Sequence, residues 1–165
     1  MTQFPIENKK IKLAMLGMTE GNGHPYSWSI IINGRYNAEA LAQCPYAAII
    51  DYISKQPKNT LGIKDVEVSH VWTDNPEDAK LVAKVAEIEN IVEDPKDVIG
   101  HVDAVLVATD IGSEHVERCR PFVEANVPIF VDKPLCDNFS DLKIFQQWID
   151  EKKPIISSSA MRYCK

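Results

Sequence analysis

Ile11-Lys12-Leu13-Ala14-Met15-Leu16-Gly17-Met18-Thr19-Glu20-Gly21-Asn22-Gly23-His24-Pro25-Tyr26 passes from an apolar hexapeptide through three glycines into a proline-led segment. Each part requires a different backbone. Ile11 to Leu16 is short, mostly apolar and stopped by Gly17, which is the pattern of a buried strand. Pro25 suits the first turn of a helix, where its missing N–H costs nothing, and Trp28, Ile31 and Ile32 then share one helical face. Between them lies a glycine-rich turn, Gly17 to Gly23. Such a turn at a helix N-terminus brings unpaired amides and the positive dipole end together, so it can hold a pyrophosphate. Gly17, Thr19, Gly21, Asn22, Gly23 and His24 are the candidate contacts. A plain turn remains the competing reading, because Gly21-Asn22-Gly23-His24-Pro25-Tyr26 carries Tyr26 where a Gly-x-Gly-x-x-Gly fingerprint has its last glycine.

Outward from this unit, strands and helices alternate. Arg35 to about Lys64 reads as an inserted helical excursion, with Ala38 to Gln43 and Tyr46 to Lys55 compatible with helix and Pro45 and Pro57 as punctuation. Val66 to Trp72 is alternating, β-branched and aromatic, and reads as the second strand. Asp74 or Asn75 caps the helix that follows, through Glu87. Ile88 to Val92 suits a short third strand, Pro95 to Ile99 a small helix, and Val102 to Ala108 a buried fourth strand. Ser113 is placed to cap a helix reaching Asn126, which Pro121 should kink or shorten. Val127 to Val131 and Pro154 to Ser158 read as the fifth and sixth strands. They flank a helix from Ser140 to Glu151 with Leu142, Phe145 and Ile149 on one face.

This alternation predicts a doubly wound α/β fold of Rossmann type, with about six parallel strands in the order 3-2-1-4-5-6. Ligands bind such sheets where the strand order reverses, so the glycine turn and Thr109-Asp110-Ile111-Gly112 should face one another. Asp74, at the end of the second strand, can accept from an adenosine ribose and repel a 2′-phosphate, favouring NAD over NADP, or can simply cap a helix. Lys133, after the fifth strand, can hydrogen-bond a substrate hydroxyl and stabilise developing charge, with Asp132 pairing with it or with a cofactor ribose. An Asp-Lys-Pro surface turn is the alternative. Pro134 can be cis or trans.

Composition narrows the classes. With 165 residues, 45% hydrophobic and 25% charged, the chain can form one domain with a real core. A formal charge of −6 argues against binding nucleic acid. Cys44, Cys119, Cys136 and Cys164 are far apart, with no Cys-x-x-Cys pair, which suggests neither zinc nor a disulfide framework but reduced thiols in a cytoplasm. No apolar run approaches a membrane span, and residues 1–10 lack the apolar core of a secretory signal.

Taken together, the opening strand and its glycine turn, Val102-Asp103-Ala104-Val105-Leu106-Val107-Ala108-Thr109, His115, Val131-Asp132-Lys133-Pro134-Leu135 and Ser159-Ala160-Met161-Arg162-Tyr163 resemble the Gfo/Idh/MocA oxidoreductases over essentially the whole chain. The resemblance implies the N-terminal NAD(P)-binding domain of enzymes that move hydride to or from sugar- or polyol-like substrates. It implies that Lys133 is the lysine of the family's Glu-Lys-Pro motif, with Asp132 and Pro134 beside it. It also implies that Thr109, Asp110 and His115 approach the nicotinamide end, and that Arg162 and Tyr163 mark the passage into a second domain. That α/β substrate domain lies outside this chain, so the chain by itself is expected to be inactive. It should also expose an apolar patch near the crevice and C-terminus, prone to self-association. A non-catalytic nucleotide-binding or protein-interaction module is the competing expectation. Lengthening of the glycine turn and the helical insertion depart from the family pattern.

Overall fold

A computed structural model describes residues 10–159 and Arg162; Ala160, Met161, Tyr163 and Cys164 lie outside the described residues. Six parallel strands form one sheet in the order β3-β2-β1-β4-β5-β6. The strands are β1 (Ile11–Leu16), β2 (Val66–Trp72), β3 (Asn90–Ile91), β4 (Ala104–Val107), β5 (Ile129–Val131) and β6 (Ile155–Ser157). Helices α1 (His24–Asn33), α2 (Ala38–Leu41), α3 (Ala47–Lys55), α4 (Pro76–Ala86), α5 (His115–Glu124) and α6 (Phe139–Asp150) connect them. The expected order is therefore observed, and β1 and β2 occupy the residues expected of them. β3 is shorter than expected, a two-residue exposed edge pairing His70 with Asn90 and Val71 with Ile91.

Alternation along β1 divides the core. Met15 points to one face, where it packs with Tyr26 and Ile30 of α1, Val68 and Val71 of β2, and Val82 of α4. Ala14 and Leu16 point to the other, with Val105, Val107, Phe122, Ile129 and Phe145. The insertion belongs to the first face: Ala40, Leu41, Cys44 and Ile53 are buried in it.

The helices bear on four local expectations, of which those for α6 and Ser113 are corrected. In α1 the fully buried side chains include Tyr26 and Ile30, whereas Trp28, Ile31 and Ile32 are only partly covered; Trp28 sets its ring edge-on against Phe130 at 5.7 Å. In α6 the buried stripe is Phe145 and Trp148, while Leu142 and Ile149 stay exposed. Trp148 rotates that stripe because its ring packs edge-on against Phe145 at 5.3 Å and lies under Arg120 of α5. Of the two cap candidates, Asn75 caps α4, through the Glu77 amide. Ser113 caps no helix: a 3-10 turn at Gly112–Glu114 precedes α5, and the Ser113 amide donates to Asp137 instead. Pro121 sits inside α5, which ends three residues later.

Candidate functional site

Leu16, Trp72 and Val107 end three neighbouring strands, and the loops leaving them meet above the sheet edge. Gly17 occupies the tightest point. Its φ is +84°, and a Cβ there would fall 2.6 Å from the Thr109 methyl carbon and 3.4 Å from the Arg118 guanidinium. Any side chain would be strained and would collide with the β4 loop, so glycine is what lets the two loops touch. Gly23 is required for a different reason: a Cβ would meet Ile49 at 2.3 Å and Tyr46 at 2.8 Å. The insertion, not a ligand, fills that space.

Side chains then cross the crevice. Thr19 donates from its hydroxyl to Asp110 at 2.5 Å. Asn22, almost fully buried, donates to the Ala108 carbonyl at 3.1 Å and to Asp132 at 3.3 Å, and its own carbonyl oxygen accepts from the His24 amide. His24 Nδ1 lies 2.5 Å from Asp132 Oδ2, and the imidazole stacks on Trp28 at 4.4 Å. The turn after β1 and the segment after β5 thus border one cleft, as the topology requires.

Asp132 is the buried charge of this end, with 1% of its surface exposed. Burial by itself raises its pKa. Hydrogen bonds from His24 and the Lys133 amide, with the charges of both residues, outweigh that and hold the carboxyl below its ordinary range. Lys133 Nζ stands 4.0 Å from Asp132 Oδ2 and is about half exposed. The Lys133–Pro134 peptide is cis.

His115 is fully buried beneath these loops, with ring nitrogens 3.1 Å from the Leu135 carbonyl and 3.0 Å from the Thr109 hydroxyl. It ties the β4 loop to the Lys133 loop. Gly112 permits the same approach, since a Cβ there would meet the Cys136 and Asp137 backbone at 2.8 Å.

At the opposite end, the Asp74 carboxylate accepts from the Met18 amide at 3.3 Å and from Arg118 at 2.7 Å. Arg118 also binds Glu114 at 2.7 Å and lies 5.9 Å above the Trp72 ring. Burial works against the guanidinium charge, but its two carboxylate partners outweigh this and raise the pKa. A cavity of about 240 Å³ opens beneath, lined by Leu16, Trp72, Pro95, Val107, Arg118 and Phe122 among others.

Arg118, Glu114 and Tyr46 are absent from the sequence-derived set. The i,i+4 spacing of Glu114 and Arg118 on a helix start was the available signal for two of them. Arg162 is exposed, with its amide bonded to the Ser159 carbonyl, and among the described residues no ion pair joins it to the cleft. Exposed Phe139 and Leu142 line a second cavity of about 240 Å³ just past the Lys133 loop, and Ile111 is also exposed. Among the described residues no group of three or more acidic, histidine or cysteine side chains could hold a metal, and no helix is long and apolar enough to cross a membrane.

A family model described as an oxidoreductase family with an NAD-binding Rossmann fold, Gfo/Idh/MocA, matches residues 47–159. No curated protein matches the chain. Among solved structures, scyllo-inositol dehydrogenase from Lactobacillus casei with bound NAD(H) and scyllo-inositol superposes with a TM-score of 0.63 at 17% identity, covering 95% of this chain and 38% of the other. Myo-inositol 2-dehydrogenase from Lactobacillus plantarum gives 0.62 at 17%, with 95% and 38% covered. Biliverdin reductase from Synechocystis gives 0.55 at 14%, with 89% and 37% covered. The chain spans little more than a third of these proteins' length, and at such identities the likeness speaks for the fold.

Proposed function

Since the chain belongs to the Gfo/Idh/MocA oxidoreductase family and forms its NAD-binding Rossmann domain, we propose that the cleft binds NAD for hydride exchange with a polyol-like substrate. The observation that carries this reading is the junction of the glycine turn with Asp132, which brings Lys133 to the same cleft. The residues fit the cofactor along the glycine turn, where no atom lies within 4 Å of the position a Gly21 side chain would take and the face of the turn is open. A diphosphate would lie there, against the amide-rich turn and the N-terminus of α1. Trp72 and Arg118 border a cavity suited to an adenine ring. Asp74 and Glu114 outnumber Arg118, so a 2′-phosphate would meet net negative charge; this favours NAD over NADP.

When bound, the nicotinamide supplies a two-electron acceptor or donor. Lys133 then orients the substrate oxygen and offsets its developing negative charge, while Asp132 fixes the loop from which the lysine projects. Further substrate contacts would come from outside this domain; the inositol dehydrogenase it resembles is about two and a half times as long.

Titration calorimetry of this chain should detect NADH and bind NADPH at least about tenfold more weakly, a difference of about 1.4 kcal/mol. Failure to bind either removes this reading. In the full polypeptide, Lys133→Ala should lower turnover of scyllo- or myo-inositol about 100-fold or more while NADH affinity stays within threefold. Turnover unchanged by that substitution removes the role given to Lys133.

A further inference from the structure

The glycine turn spends much of its donor set on itself. The Gly17 amide donates to the Trp72 carbonyl, Met18 to Asp74, Asn22 to the Thr19 carbonyl and His24 to the Asn22 side chain. Its polar side chains turn inward as well, the Thr19 hydroxyl to Asp110 and the Asn22 side-chain amide to Ala108 and Asp132. A diphosphate laid on this turn gains from every further donor within reach, because hydrogen bonds to an anion are the strong ones. The insertion brings one. Tyr46 stands at the start of α3, and its side chain caps no amide there. Its ring lies on the turn instead, 2.8 Å from the place a Gly23 Cβ would take and 6.0 Å from the Tyr26 ring. The Gly21 amide donates to the phenol oxygen, while the space beside the Gly21 Cα stays open. Burial, with Asp78, Cys44 and Asp110 nearby, outweighs that hydrogen bond and raises the phenol's pKa, so the group is a neutral O–H. A hydroxyl that has accepted an amide still has its own proton to give.

We propose, resting on the NAD-binding reading above, that Tyr46 is a cofactor-binding residue supplied by the insertion, its hydroxyl accepting from Gly21 and donating to the diphosphate of the dinucleotide. The phenol exchanges a backbone amide for a hydroxyl that reaches further from the turn. Accepting from the amide also polarises the O–H, which strengthens its bond to an anion. Gly23 then serves the cofactor indirectly, by admitting the Tyr46 ring that any larger residue would displace. The lengthened turn and the helical insertion are thereby one device: the insertion packs on the turn and returns a donor to it.

The test is titration calorimetry of NADH with three forms of this chain. Tyr46→Phe keeps the ring against Gly23 and removes only the hydroxyl. Ile49→Val is the packing control, since it deletes the Cδ1 that shares the same space and leaves the hydroxyl in place. Tyr46→Phe should bind NADH about tenfold more weakly or worse, and Ile49→Val should stay within about threefold of wild type. Inorganic pyrophosphate, competing with NADH, should lose affinity for Tyr46→Phe by a similar factor. Phosphorus-31 signals of bound NADH should also move between wild type and Tyr46→Phe, which a purely structural role would not require. NADH affinity of Tyr46→Phe within about threefold of wild type, an equal loss in Ile49→Val, pyrophosphate competition that the variant does not weaken, or unmoved phosphorus signals would each overturn the assignment and leave the NAD-binding reading standing. So would loss of folded circular dichroism in Tyr46→Phe, because the hydroxyl would then serve the fold. A wild type that binds no NADH overturns the NAD-binding reading itself, and the assignment falls with it.

Discussion

The crevice carries a charged triad at each end, and the two are built in opposite ways. His24, Asp132 and Lys133 centre on a carboxylate with 1% exposure that an imidazole and an ammonium approach from the rim. Asp74, Arg118 and Glu114 centre on a cation, flanked by carboxylates that are each 41% exposed. Burial multiplies the consequence of losing a partner, whereas water replaces one at a surface cluster for little cost. The first triad should therefore bear on folding and chemistry together, and the second on ligand choice alone.

Removing the buried charge is the most severe way to break that contrast. Asp132→Ala leaves His24 Nδ1 and the Lys133 amide without their acceptor and takes from Asn22 Nδ2 one of its two. Stability should drop by roughly 3 kcal/mol, read from urea unfolding. A loss below about 1 kcal/mol would place Asp132 in the same class as the exposed triad.

Acid sharpens the comparison without mutation. The folded-state pKa of Asp132 is depressed, so its stabilising contribution is complete above the unfolded carboxylate pKa, near 3.8, and is lost as pH falls through the lower folded value. Wild type should lose stability steeply below about pH 4, and Asp132→Asn should show a flatter acid limb. Parallel limbs would mean that the carboxylate contributes nothing specific.

How far the two triads could be foreseen differs as well. Strand order, the extents of β1 and β2, and the meeting of Gly17 with Thr109 follow from apolar periodicity and the topology of parallel sheets, which are local signals multiplied by one global rule. Lys133 was legible because it leaves a strand at the ligand edge. The His24 contact with Asp132 was not, because 108 positions separate them and no periodicity encodes a side-chain pair across a cleft. From sequence Asp74 suits a cap and a ligand contact equally; its neighbour Asn75 takes the cap, leaving the carboxylate for Arg118. In α6 an apolar stripe through Leu142 and Ile149 competed with one through Trp148, and the larger ring prevailed.

Arg118→Met is the mildest expected change in stability and the most direct probe of the second triad. Its aliphatic stem can still cover the cavity beside Trp72, while both 2.7 Å carboxylate contacts disappear. Because the partners are well solvated, unfolding free energy should change by less than about 1 kcal/mol. Ligand choice should respond more strongly than folding. With the guanidinium gone, Asp74 and Glu114 face the cleft uncompensated, so NADPH should be rejected more strongly than by wild type while NADH loses only the stacking contribution. Calorimetry with both dinucleotides reads this ratio. A shift toward NADPH would mean that Arg118 is not the counter-charge at this end and that the adenosine lies elsewhere along the crevice.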